Sequence, residues 1–174
     1  TSSLVGSEMC IRDRVGLIGT QATIRSGAYE RALDALRPGT QVTARACPLF
    51  VPLVENGRFH PGDIVVETVV KEYLEEVKAQ EVDTLMLGCT HYPLLREVIG
   101  ACMGPEVELV DVGAECARWV MGQLSGRDQL APQDRKGSHR YFVSDSTGDF
   151  AALASMFLGE DVTGDVEQID ITVY

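Results

Sequence analysis

The sequence predicts an α/β fold with largely parallel sheets. Two observations carry this: short apolar runs of the buried-strand type alternate with stretches of helical periodicity from residue 15 onward, and Gly or Pro punctuates many of the junctions. A third bounds the size. With 174 residues, 45% hydrophobic and 24% charged, the chain suffices for one full domain, or for one domain and part of another. No repeat of solenoid period and no low-complexity tract interrupts the pattern.

The first 14 residues, TSSLVGSEMCIRDR, show neither a strand nor a helix period. Most of the string resembles a translated sequencing adapter. Residues 1–14 are therefore expected to be non-native or disordered, Cys10 is given no role, and the reading frame is expected to be truncated on its N-terminal side.

Residues 15–20, VGLIGT, read as a strand ending in Gly; a helix with Ala32, Leu33 and Leu36 follows and stops at Pro38-Gly39. Residues 41–46 form a second strand, and Cys47-Pro48 opens what reads as an irregular loop containing Pro52 and Pro61, of a length often functional in compact domains. Over 62–80, Val65, Val66, Val69, Val70, Leu74 and Val77 recur at helical spacing and predict an amphipathic helix. Residues 83–87 are a buried-type strand, 88–93 a turn and 94–102 a helix. A strand over 106–110 leads to Gly113 and a helix with Ala117, Val120, Met121 and Leu124 on its apolar side. The polar stretch 125–138 hints at a boundary, after which 141–144 reads as strand, 149–158 as helix and 166–173 as a final strand.

A formal charge of −11 without basic clusters excludes a nucleic-acid or anionic-membrane surface. No apolar run approaches the roughly 18 residues a spanning helix needs, so the expected location is cytoplasmic. The five cysteines, Cys10, Cys47, Cys89, Cys102 and Cys116, include no C-x-x-C pair and no Cys/His grouping of zinc spacing, which favours free thiols and no metal.

One turn concentrates chemistry. Cys89 follows a strand at the end where ligands collect in α/β sheets, with an imidazole two residues on and a helix expected immediately after. A thiol so placed is a usable base or nucleophile. An isolated intracellular cysteine is more often a small buried hydrophobe. Here Gly88 permits a tight turn, Thr90 offers a hydroxyl, His91 exchanges protons near neutrality and Pro93 starts the helix, so the chemical reading prevails. Cys47, before Pro48, reads as structural; Cys116 reads as core packing on the apolar side of its helix; His60 and His139 read as isolated surface residues.

The run Gly88-Cys89-Thr90-His91-Tyr92-Pro93, continued by Leu94-Leu95, resembles the second-cysteine motif of the glutamate racemases. VGLIGTQATIRSGAYERAL at 15–33, ACPLFVPLVENG at 46–57 and VDVGAECA at 110–117 are similar to the same family, so the resemblance covers 15–174. One departure is Val112, where the family often has a small polar residue or proline. The resemblance implies a three-layer parallel-sheet domain over 15–113, the second of two, with 114–174 returning to an incomplete first domain. It implies cofactor-independent interconversion of L- and D-glutamate for peptidoglycan synthesis by two cysteines on opposite faces of the substrate, and it allows a homodimer of the full-length protein. By the same resemblance Cys89 exchanges the α-proton, His91 assists it, Glu55 lies near that histidine and Thr90 helps hold the substrate carboxylate. The family's Asp-Ser-Gly and Cys-Asn-Thr-Ala strings, the second carrying the opposite cysteine, do not occur here, so the chain is expected to be inactive alone.

Three other readings stand beside this one. An aspartate or hydantoin racemase would share the two-thiol chemistry. A thiol hydrolase would use Cys89 as nucleophile, His91 as base and Glu55 as orienting group, although a separation of two residues makes direct Cys–His pairing awkward. A non-catalytic binding domain would use none of them.

Overall fold

The computed structural model describes residues 13–132, 134–135 and 137–173; the expectations for residues 1–12, including Cys10, lie outside them. The chain divides into two compact units, one ending at Val120 and the other beginning at Met121.

The first unit is built on a four-stranded sheet in the order β2-β1-β3-β4, where β1 is Arg14–Gly19, β2 Gln41–Ala46, β3 Thr84–Leu87 and β4 Glu108–Asp111. All three pairings are parallel, with Val15 opposite both Val42 and Thr84, and Leu87 opposite Asp111. β1 is the apolar run read from sequence, buried from Val15 to Gly19, as a strand covered on both faces must be. It opens one residue earlier than expected. Arg14 pairs with Gln41, and the backbone N–H groups of Asp13 and Arg14 both donate to Asp83 Oδ2 at 3.1 Å.

The chain runs from β1 outward to β2, then crosses back to β3 on the other side of β1. The carboxyl ends of β1 and β3 therefore flank the point where strand order reverses, the place where open α/β sheets bind ligands. Gly19-Thr20 lies on one side of that point and Gly88-Cys89 on the other.

Helices fill the crossovers with four departures from expectation. The helix after β1 is two, α1 (Gln21–Ser26) and α2 (Ala28–Leu36), because Gly27 adopts a left-handed φ of 59° that ends one and starts the other. The loop expected after Cys47 contains a short helix, α3 (Phe50–Glu55), which includes Pro52. A proline in the first turn sacrifices an N–H that has no helical acceptor there, so Pro52 does not forbid the helix. In α4 (Ile64–Ala79) only Val66, Val70, Leu74 and Val77 are buried, while Val65 stands exposed and Val69 is intermediate, a narrower stripe than the sequence suggested. A tight turn over Tyr92–Leu95 precedes α5 (Arg96–Met103), so the helix after Cys89 begins as a single 3₁₀ turn.

Asp63 caps α4, accepting from Val65 N–H at 3.0 Å, and is gripped by the Arg58 guanidinium through two bonds of 2.8 and 2.7 Å. That guanidinium lowers the Asp63 carboxyl from 3.8 to about 2. A carboxyl depressed in the folded state stabilises above its unfolded value and loses that contribution as pH falls through the folded one. The stability gap between the wild type and Asp63→Asn, read by urea unfolding, is therefore expected to be full at pH 5 and to shrink towards pH 2.

The core of this unit comprises Leu17, Ile18, Phe50, Val66, Val70, Leu74, Leu85, Leu87, Leu95 and Ile99, all fully buried. α6 (Val112–Ser125) follows β4 and carries the division between the units. It corrects the expectation for Cys116, which is exposed rather than packed in a core, as are Trp119, Val120 and Met121. Apolar periodicity marks the face a helix would bury; it does not supply the surface that covers it.

The second unit pairs β5 (Tyr141–Val143) with β6 (Val166–Gln168) in parallel, with α7 (Thr147–Leu158) between them in sequence and capped by Ser146. The strand expected to reach 173 stops at Gln168. The Asp170 carboxylate accepts from Thr172 N–H and Oγ1–H, at 2.8 and 2.6 Å, and folds the chain into a 3₁₀ turn instead. Among the described residues of this unit only Ala151 and Val162 are buried. Its amides are expected to lose hydrogen-exchange protection well before those of β1 and β3; equal protection throughout would contradict this reading.

Candidate active site

The four residues singled out from sequence converge at the carboxyl end of β3. Gly88 closes the strand and donates its N–H to Ile18 O at 2.8 Å, which draws the turn against the end of β1. No side chain fits there: a Cβ on Gly88 would stand 2.9 Å from the Ile18 carbonyl oxygen and 3.2 Å from Leu17 Cδ1. Cys89 is left half-buried at the rim. Its carbonyl accepts from Tyr92 N–H at 3.2 Å, closing the turn over the thiol.

His91 links the group. Its Nδ1 lies 3.9 Å from Cys89 Sγ and 3.2 Å from Thr90 Oγ1, and its Nε2 lies 3.1 Å from Glu55 Oε1. The turn thus overcomes the awkwardness expected of a two-residue separation, because sulfur bonds at longer range than oxygen. The tautomer follows from the partners. A carboxylate only accepts, so Nε2 carries the hydrogen and donates to Glu55, and in the neutral ring Nδ1 presents its lone pair to the Cys89 thiol and the Thr90 hydroxyl. When the ring takes a second proton, Nδ1–H faces the sulfur as a donor. The pair can therefore pass a proton between sulfur and nitrogen in either direction.

Glu55 is the last residue of α3, and its side chain is 42% exposed against 20% for His91. An ion pair so open to water contributes at most about 1 kcal/mol to stability, so the significance of Glu55 lies in orienting the ring. The 3₁₀ turn alters one expectation. The macrodipole of an extended α-helix does not begin at Cys89, and the imidazole is a polar group within reach of the thiol.

The other cysteines are differently placed. Burial pushes the Cys47 thiol up to about 12, against the pull of the Arg45 guanidinium, and keeps it protonated. Burial also raises the half-buried Cys102, opposed by Lys78 and Lys71. His60 and His139 lie against Phe59 and Tyr141, outside the cluster. A cavity of about 490 Å³ between α4 and α5, floored by Val70, Val98 and Ala101, includes none of the four site residues, so cavity volume is no guide to the chemistry here. No group of three or more metal-ligating side chains occurs among the described residues.

Sequence reasoning overlooked three contributors. Tyr92 is fully buried and its hydroxyl donates to Cys47 O at 2.9 Å. Phe50 meets the Tyr92 ring edge-on, with centroids 5.1 Å apart. Tyr29 also approaches Gly88, its ring edge 3.7 Å from where a Cβ would stand. The available signal was weak: Tyr92 and Phe50 in apolar surroundings look like ordinary core, and nothing local to Tyr29 points to Gly88.

A parallel α/β sheet whose switch point carries a thiol, an imidazole and a carboxylate in hydrogen-bonded sequence defines a class of proton-transferring or nucleophilic thiol proteins. The matching family model is Asp/Glu/Hydantoin racemase, over residues 2–118, and the chain belongs to that family. The glutamate racemase of Geobacter metallireducens is 47% identical over 158 residues, 91% of this chain and 57% of that protein. That of Desulforudis audaxviator is 46% identical over 154 residues, 85% of this chain and 56% of that protein. Among solved structures, the Francisella tularensis glutamate racemase in complex with D-glutamate superposes with a TM-score of 0.82 at 30% identity, covering 93% of this chain and 60% of that one. The Thermus thermophilus glutamate racemase in complex with beta-chloro-D-alanine gives 0.78 at 41%, covering 92% and 58%. The chain thus spans a little under three fifths of the curated relatives named here. Among the described residues no helix is long and apolar enough to cross a membrane.

Proposed function

We propose that this chain carries one of the two proton-transfer faces of a glutamate racemase. The observation behind it is the chain of contacts from Cys89 Sγ through the His91 ring to Glu55, at 3.9 and 3.1 Å, at the switch point of a parallel sheet. In this reading the Cys89 thiolate removes the α-proton of L-glutamate, or its thiol returns one when D-glutamate is consumed. His91 relays that proton, Glu55 holds the ring and Thr90 contacts the substrate carboxylate. The opposite face requires a second thiol, which the resemblance assigns to the Cys-Asn-Thr-Ala segment that this sequence lacks. Residues 15–113 then form the domain bearing Cys89, and 114–174 belong to the domain bearing the other thiol. Other full-length partners, including a second copy, follow from the resemblance alone.

The test uses solvent hydrogen. In D₂O, a protein in which this chain is joined to the N-terminal portion of the Geobacter metallireducens glutamate racemase is expected to place deuterium at the α-carbon of glutamate and to form the other enantiomer. The chain alone should do neither. A joined protein that folds but leaves the α-proton in place refutes the proposal. Exchange on aspartate or a hydantoin, without exchange on glutamate, moves the reading to those racemases, and a trapped acyl-enzyme moves it to a thiol hydrolase.

A further inference from the structure

We propose that Tyr92 is a positioning residue for the Cys89 site, its hydroxyl bond to the Cys47 carbonyl and its edge-on contact with Phe50 fixing His91 opposite Glu55. The inference rests on the proton relay proposed above and concerns what holds that relay in register.

His91 and Glu55 stand on separate segments. His91 belongs to the turn after β3, whereas Glu55 ends α3, a helix that begins at Phe50. Tyr92, adjacent to His91, reaches across to the start of that helix. The Cys47 carbonyl accepts from Phe50 N–H at 3.2 Å, in the turn that leads into α3, and from Tyr92 Oη–H at 2.9 Å. Both lone pairs of one carbonyl are thereby used, one by the helix and one by the catalytic turn. The rings of Tyr92 and Phe50 meet at 78° and 5.1 Å, and Tyr73 meets Phe50 at 5.5 Å. Burial keeps the Tyr92 hydroxyl protonated, so it remains a donor.

The hydroxyl can be removed without disturbing the packing. In Tyr92→Phe the ring stays in place, and the Cys47 carbonyl keeps the Phe50 N–H, so no buried acceptor is orphaned. What is lost is the tie between the turn carrying His91 and the helix carrying Glu55. Simple core filling by Tyr92 predicts a change in melting temperature without a specific change at Cys89; positioning predicts a change that passes through Glu55.

The experiment measures alkylation of Cys89 by iodoacetamide at pH 7, followed on the Cys89 peptide by mass spectrometry. Buried Cys47 serves as an internal report that the chain stays folded. Wild type, Tyr92→Phe, Glu55→Gln and the double variant are compared. Expected are a fall of about five-fold for Tyr92→Phe, a comparable or larger fall for Glu55→Gln, and a double variant no slower than Glu55→Gln alone, because the first change acts through the second. An unchanged rate in Tyr92→Phe, with Glu55→Gln slowed, overturns the positioning role and leaves the relay standing. Multiplying effects in the double variant also overturn it. An unchanged rate in Glu55→Gln overturns the relay and the positioning role together. Should Tyr92→Phe label at Cys47 and so prove unfolded, Phe50→Leu loosens the same contact from the helix side and is read by the same criteria.

Discussion

Cys89→Ala, in the joined protein, is expected to lower interconversion of the glutamate enantiomers by about 10³-fold, the scale of a lost acid–base group, while leaving the fold intact. The side chain is half-buried and small, so its removal opens no large cavity. The loss should appear in turnover with either enantiomer, because in the proposed mechanism one thiol serves as acid in one direction and as base in the other. Circular dichroism reports it for both enantiomers, and deuterium exchange reports it for L-glutamate. A variant with full activity would remove Cys89 from the mechanism, whatever the geometry around it.

The second large effect concerns structure. Gly88→Ala is expected to cost about 1–3 kcal/mol, as overpacking does, and to displace the turn that carries Cys89. A new Cβ would face the Ile18 carbonyl at 2.9 Å, and a backbone oxygen in the middle of a paired sheet cannot step aside as a flexible side-chain end can. The relief available is a shift of the turn away from β1, which breaks the 2.8 Å bond from Gly88 N–H to Ile18 O. A lower urea midpoint together with slower Cys89 alkylation is the expected signature. A midpoint unchanged from wild type would show that the turn has more freedom than the contact distances allow.

The sheet was legible because β1 and β3 are interior strands of a parallel sheet and leave continuous apolar runs bounded by turn residues. β2 ends at Ala46 as its sequence indicated. The site was legible for a different reason: Cys89, Thr90 and His91 are neighbours in one motif, and Glu55 was reached only through a family resemblance. Nothing local in residues 50–55 announces a carboxylate aimed at an imidazole 36 positions away. Where the reading failed, specific local bonds won. Gly27 divided what was read as one helix, and the Asp170–Thr172 pair stopped a strand whose composition favoured extension. The stretch holding Pro52 was read as an irregular loop, whereas a proline in the first turn leaves a short helix free to form there. Tyr92 was given no role beyond its place in the motif, because burial and a tether use the same side chain and only the bond to Cys47 separates them.

The sequence contains one tryptophan, Trp119, and α6 holds it out in water at 65% exposure. Intrinsic emission, the habitual optical probe of denaturation, therefore samples a site already hydrated in the native state and barely registers collapse of the interior around Leu17 and Leu85. Tyr92 and Tyr73, which both contact Phe50, are chromophores placed to sense that collapse. A melt of this chain followed by indole fluorescence alone would be nearly silent for a physical reason unrelated to how firmly it is folded.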